Sequence, residues 1–267
     1  MVELGNAGGG KIMIDVKTEN AIAIVTLKHG KANALDIEFC DALTKCFEEL
    51  RTSAARAVVV TGQGGIFSAG VDLIRANAGG ADYMRKFLPV LNRSFESIFF
   101  HPKPLVAAIN GHAMAGGAVL ACCADRRIMA RSGGRIGVTE LLVGVPFPAL
   151  AFEAVRLAVP SRYLPESLFS GATYEADIAL QRGWVEEVVT ADALMPRAIA
   201  AAQSLAQLAP AAFAQTKKQL RQEIRERLNQ NGAAVDKAVT EIWAAPETLR
   251  YIGEYVARTL RKSRATG

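Results

Sequence analysis

At 267 residues, with 51% hydrophobic and 21% charged side chains, the chain carries enough apolar content for a packed core, which excludes a disordered protein. A net charge of +5 is mild; it fits a phosphorylated small ligand or no special partner, and with only 7% aromatics it argues against nucleic acid. Four cysteines (Cys40, Cys46, Cys122, Cys123) lack metal-ligand spacing, and no apolar run nears the about 18 residues that span a membrane. Reduced thiols in a cytoplasmic protein without a bound metal are therefore expected.

Met1 to Gly10 reads as a flexible tail without a secretory pattern. Lys11–Val16 and Ala21–Leu27 are short and β-rich and predict a hairpin joined by Lys17-Thr18-Glu19-Asn20. Asp36 caps a predicted helix that runs to about Arg51 with Phe39, Leu43, Phe47 and Leu50 on one face. Ala57–Thr61 predicts a buried strand, and Asp82–Phe100 a long amphipathic helix stopped by His101-Pro102-Lys103-Pro104. Leu105–Ile109 is a second buried strand, Gly116–Cys123 a short helix and Arg126–Ala130 a third strand. Beyond Pro148 the pattern turns helical, with helices expected over Ala191–Leu208, Pro210–Gln230 and Ala233–Lys262 and breaks near Gly232 and Pro246. The chain thus divides into a tail at 1–10, an α/β core at 11–208 and a C-terminal helical region at 209–267. Strand–turn–helix alternation predicts parallel strands, with ligands at their carboxyl ends.

Two glycine-rich turns lie at such ends. The first is Phe67-Ser68-Ala69-Gly70-Val71-Asp72 and the second Asn110-Gly111-His112-Ala113-Met114-Ala115-Gly116-Gly117. Glycine lets backbone approach a ligand closely, and a helix start leaves N–H groups free. Two such turns together can hold one oxygen between two N–H donors, an oxyanion hole. Glu140, downstream, is the candidate for the proton chemistry that such a hole serves.

These residues resemble the crotonase superfamily, the enoyl-CoA hydratase/isomerase family. Val58-Val59-Val60-Thr61-Gly62 with Phe67 to Leu73 is similar to the first family signature. Pro104 to Ala113 with Gly116-Gly117 is similar to the second, and Ser170-Gly171 through Ala179 with Gly183-Trp184-Val185 to the stretch after the active site. The resemblance implies an α/β fold with a crotonase-like ββα spiral core and a C-terminal helical region that builds trimers, often paired into hexamers. It implies an acyl-CoA substrate, with coenzyme A as part of it, and no metal or redox cofactor. Matched residue by residue, the backbone N–H groups of Val71 and Gly116 form the oxyanion hole. Lys31 and Ala32 meet the nucleotide end of CoA, while Ser68, Ala69, Asp72, Leu73 and Gly117 meet the rest of the substrate.

Hydratases of the family hold a water between two glutamates. Here the first of those positions falls on Val119 and the second on Glu140. A single glutamate resembles the family's Δ3,Δ2-enoyl-CoA isomerases, where one carboxylate moves a proton from C2 to C4. A family Pro-Gly-Gly-type segment is replaced by Val143-Gly144-Val145-Pro146-Phe147-Pro148-Ala149, so Phe147 is expected beside Val119 in the acyl pocket. The rivals are hydration or another lyase or hydrolase reaction on the same hole, and a non-catalytic acyl-CoA- or RNA-binding protein on this scaffold.

Other features read more simply. Asp72 is expected to cap its helix, and His112 to pack rather than react. His29 and His101 are expected to face solvent. Lys217, Lys218, Arg221, Arg225 and Arg227 read as a solvated helix face. Arg258, Arg261, Lys262 and Arg264 form a basic end suited to phosphates of a CoA on an adjacent subunit. Phe213, Leu220, Ile242, Trp243, Tyr251 and Tyr255 exceed what one helix face needs and are expected partly between subunits.

Overall fold

The computed structural model describes residues 12–260. The expected tail at 1–10 and the basic residues Arg261, Lys262 and Arg264 lie outside them. Strands β1 (Ile14–Glu19) and β2 (Ile22–Leu27) form an antiparallel hairpin. Its turn is tighter than the sequence suggests: Lys17 to Glu19 stay paired, and only Asn20 and Ala21 leave the ladder, both at positive φ (49° and 62°). A two-residue turn of that hand follows the twist of the strands. Helix α1 (Ile37–Thr52) begins where the Asp36 carboxylate accepts the Phe39 N–H at 2.8 Å, and it buries Phe39, Leu43, Phe47 and Leu50.

A ββα spiral follows. Its first turn is β3 (Ala57–Gly62), β4 (Ile66–Ser68) and α2 (Leu73–Phe99); its second is β5 (Leu105–Ile109), β6 (His112–Met114) and α3 (Gly116–Cys122); β7 (Arg126–Ala130) and β8 (Arg135–Gly137) open the third. A 3-10 turn at Glu140–Val143 then leads to α4 (Ala149–Ala158), α5 (Leu164–Ser170), β9 (Tyr174–Glu175), α6 (Ala176–Gln181), β10 (Glu187–Val189) and α7 (Leu194–Ala206). Among the described residues, the first strand of each turn enters a sheet of order β1-β2-β3-β5-β7-β10, and the second a sheet of order β4-β6-β8-β9. The larger sheet is parallel apart from β1.

The apolar runs in β3 and β5 reflect burial on both faces. Val58, Val60, Leu105, Ala107 and Ile109 point into the main core, while Ala57, Val59, Val106 and Ala108 pack against Leu194, Ala198, Ala201 and Ala202 of α7. At the corner between β5 and β6, a side chain on Gly111 would occupy the space of the Gly65 carbonyl, so the stacked corners admit only glycine there.

Helix α2 starts at its Asp72 cap, not at Asp82. It kinks at Gly80 (φ 62°, ψ −156°), and the Gly79-Gly80 pair hides its first turns from propensity. The chain ends in α8 (Pro210–Leu220), α9 (Gln222–Arg227), a π-turn at Leu228–Gly232, α10 (Ala233–Ala244) and α11 (Pro246–Tyr255). The stretch expected as one helix over 210–230 breaks at Arg221.

The basic stretch is not a solvated face. Lys217 and Arg221, four apart, point inward to Asp125 just before β7. Asp125 accepts Lys217 Nζ at 2.6 Å, Arg221 Nη2 at 2.8 Å and the Leu105 N–H at 2.9 Å. Arg221 also donates to the Phe99 carbonyl. Arg225 lies over the Phe100 ring and Arg227 pairs with Glu153; Lys218 and Arg225 are the exposed members of the stretch. His101 does not face solvent either: it is fully buried, edge-on to Phe47, and burial together with the Lys217 charge pushes its pKa down to about 3.

This cluster fastens the C-terminal helices to the core. Asp125→Ala leaves two buried cations without their anion and should cost about 3–5 kcal/mol; Lys218→Ala should stay within about 0.5 kcal/mol of the parent. Urea unfolding distinguishes the two, and equal losses would contradict the anchoring role.

Candidate active site

The two glycine turns meet. A Cβ on Gly70, whose φ is +80°, would lie 2.6 Å from the Met114 carbonyl oxygen and 2.9 Å from the Gly116 nitrogen. A Cβ on Gly116 would lie 3.8 Å from the Val71 nitrogen. Leu35 bridges to this turn: its N–H donates to the Gly70 carbonyl at 2.8 Å, and its carbonyl accepts the Asp72 N–H at 3.0 Å. Both flanking groups are spent on Leu35, so the Val71 N–H points away from it. Before Gly116, Ala115 takes φ 49° and ψ −122°, a conformation that costs a non-glycine residue about 1–3 kcal/mol. Its own N–H is tied to the Gly137 carbonyl at 2.8 Å and its carbonyl to α3. Among the described residues, neither the Val71 nor the Gly116 N–H has a hydrogen-bond partner.

Both residues line one cavity of about 720 Å³. Lys31, Ala32, Ala69, Asp72, Leu73, Val119 and Glu140 share it. Its mouth lies at the stretch from His29 to Ala34, where Gly30 and Lys31 are exposed. That loop is held by side chains: Asn33 accepts the His29 N–H at 2.8 Å and donates to the Phe67 carbonyl at 3.1 Å. His29 Nε2 lies 2.8 Å from Asp36 Oδ2, and its ring stacks on Phe39. His29 is therefore a half-buried wall residue, not a solvent-facing one. His112 is exposed on β6, outside the cavity lining.

The inner end is apolar. Leu91 and Phe95 of α2, Val119 of α3, Val143, Val145 and Ala151 are each at most 5% exposed. Glu140 stands among them, buried, with Oε2 free of any partner among the described residues. Desolvation raises its pKa to about 7, although the backbone N–H groups of Glu140 and Thr139 oppose the shift. The other acid on this wall, Asp72, is occupied: its carboxylate accepts the Arg75 N–H at 2.9 Å and caps α2.

Three residues expected at the site lie elsewhere. Ser68 is fully buried, donating to the Asn33 carbonyl at 2.8 Å. Gly117 packs where a side chain would strike the Ser68 carbonyl. Both shape the turn from behind. Phe147 turns to the other side of the 3-10 turn, into a separate cavity of about 450 Å³ with Leu141, Phe152 and Phe169. The bulk on the acyl side comes instead from Trp243, whose indole N–H donates to the Pro146 carbonyl at 3.0 Å. Trp243 and Tyr255 thus face inward, while Leu220, Ile242 and Tyr251 are exposed. Sequence spacing carried no signal for Trp243, which arrives from α10 by tertiary packing against α2.

Comparison with known proteins agrees with this geometry. A family model described as enoyl-CoA hydratase/isomerase matches residues 17–250. A putative enoyl-CoA hydratase of Thermus thermophilus is 32% identical over 212 residues, covering 78% of this chain and 83% of that protein. The mitochondrial enoyl-CoA delta isomerase 1 of Rattus norvegicus is 28% identical over 191 residues, covering 70% and 66%. The crystal structure of human mitochondrial Δ3-Δ2-enoyl-CoA isomerase superimposes with a TM-score of 0.89 at 24% identity, covering 96% of this chain and all of that one; it establishes the fold.

The state of Glu140 is open to a direct test. Unfolded, its carboxyl titrates near 4.5; folded, near 7. Below pH 4.5 both forms hold the proton. Between 4.5 and 7 only the folded form does, so stability falls as pH rises, by about 3 kcal/mol in total. Glu140→Gln lacks this penalty. Its stability relative to the parent should climb from pH 4.5 to 7 and level off by pH 8, read by urea unfolding; a pH-independent difference would contradict a desolvated carboxyl.

Proposed function

Because the chain belongs to the enoyl-CoA hydratase/isomerase family, we propose that it shifts the double bond of a 3-enoyl-CoA to the 2-position, with Glu140 as the acid and base. The observation that carries this reading is the pairing of Glu140 with Val119. Among the described residues lining the cavity, Glu140 is the only acid whose carboxylate is not engaged elsewhere, and the position opposite in the family pattern is a valine.

The chemistry follows from the thioester. The Glu140 carboxylate takes a proton from C2, and negative charge moves to the carbonyl oxygen. The Val71 and Gly116 N–H groups, free of other partners among the described residues, stabilise that enolate; losing one such donor costs about 2.7–4 kcal/mol of barrier. The protonated carboxyl then returns the proton to C4, and the double bond settles between C2 and C3. A base near 7 is well matched to both transfers at neutral pH. Water addition needs a second proton-transfer group, and Val119 offers none. Coenzyme A enters as part of the substrate: Lys31 and Ala32 at the mouth suit its nucleotide, and Ala69, Asp72 and Leu73 its pantetheine arm. No metal or redox cofactor takes part in these steps. A homotrimer or hexamer belongs to the same reading, supported by the exposed apolar side chains Leu220 and Ile242.

Incubation with 2-enoyl-, 3-enoyl- and 3-hydroxyacyl-CoAs, with products identified by mass and chromatography, tests the assignment. The 3-enoyl substrates should convert to 2-enoyl isomers, with kcat/KM rising through pH about 7 to a plateau as Glu140 ionises. Glu140→Gln should lower turnover by at least about 10²-fold while acyl-CoA still binds. Near-parental turnover in that variant, or efficient hydration of 2-enoyl-CoA by the unmodified protein, would refute the reading.

A further inference from the structure

We infer that Trp243 sets the length of acyl chain the protein accepts, a statement that rests on acyl-CoA occupying the cavity that holds Glu140. That cavity has one open and one closed end. The open end is the exposed loop around Lys31. The closed end consists of residues at most 5% exposed and is bounded by aliphatic and aromatic carbon. A hydrocarbon chain entering past Val71 and Gly116 has only this end to fill.

Most of the surface there is small or rooted in the core. Val119, Val145 and Ala151 are short, and Leu91 and Phe95 belong to the buried face of α2. Trp243 shares that core but is the largest side chain at that end, 2% exposed, and it comes from α10 in the helical region rather than from the spiral. Its ring cannot swing aside freely, because the indole N–H is fixed to the Pro146 carbonyl at 3.0 Å. Pro146 belongs to the segment that follows Glu140, so the wall is tied to the backbone that presents the carboxylate. Trp243 is a specificity-determining residue in this account; it takes no part in proton transfer.

Binding of saturated acyl-CoAs of increasing length reads this without any turnover. In the unmodified protein the dissociation constant should fall about fourfold per added methylene until the chain meets Trp243, and then stop falling or rise. In Trp243→Ala that break should move to chains two or more carbons longer. Trp243→Phe, which keeps a ring but loses the N–H, should leave the break within one carbon and serves as the test should the alanine variant fail to fold: Trp243→Leu, smaller still, must then move the break beyond that of Trp243→Phe. A break that does not move in a folded alanine or leucine variant overturns the assignment to Trp243 alone. Failure of every acyl-CoA to bind the unmodified protein overturns the proposed function itself, and this inference with it.

Discussion

At Gly70 two successive turns of the spiral touch with no side chain between them. The space a Cβ would need there belongs to the Met114 carbonyl and the Gly116 nitrogen, and the backbone at Gly70 has the positive φ that glycine adopts freely. Much of the cavity wall follows from this contact. Leu35 takes up the peptide groups on either side of Val71, leaving the Val71 N–H without a partner among the described residues. The strained backbone of Ala115 sets the peptide that carries the Gly116 N–H, and the Gly137 carbonyl holds it there. Glu140 follows β8 in the third turn of the same spiral. One group from each of three successive turns thus borders a single cavity, and a small shift in the pitch of the spiral would disperse them.

Burial then differentiates residues of the same type. Asp36 meets His29, Arg75 and a helix N–H; Asp72 meets a helix N–H; Asp125 meets two cations. Each of these acids is engaged by hydrogen-bond or ion-pair partners. Glu140, among apolar neighbours, has one oxygen without a partner among the described residues, and desolvation raises its proton affinity. The Asp125 cluster anchors Lys217 and Arg221, and so α8 and the start of α9, which precede the helices that carry Trp243 and Tyr255.

Local chemistry made much of this legible in the sequence. Apolar runs at β3 and β5, caps at Asp36 and Asp72, and the two glycine turns each depend on neighbours a few residues away. The failures share the opposite property. The start of α2 was hidden because Gly79-Gly80 interrupts a helix that tertiary packing sustains. Lys217 and Arg221 looked solvated because their anion lies about ninety residues earlier in the chain. His101 follows a helix and precedes prolines, signs of a surface turn, yet Phe47 and the helices bury it. Phe147 lines a separate cavity and Trp243 joins the acyl side instead; its hydrogen bond to the Pro146 carbonyl links segments 97 residues apart, which no local pattern encodes.

In the proposed reaction one carboxylate moves a proton between two carbons of an acyl thioester without water adding. A 3-enoyl-CoA deuterated at C2, turned over in ordinary water and examined by NMR, tests it directly. A 2-enoyl product carrying part of the deuterium at C4 is the predicted result, since a buried carboxyl exchanges its proton with solvent slowly enough for some transfer to be direct. A 3-hydroxyacyl product, or a 2-enoyl product with no deuterium at C4, would contradict a single-carboxylate shuttle.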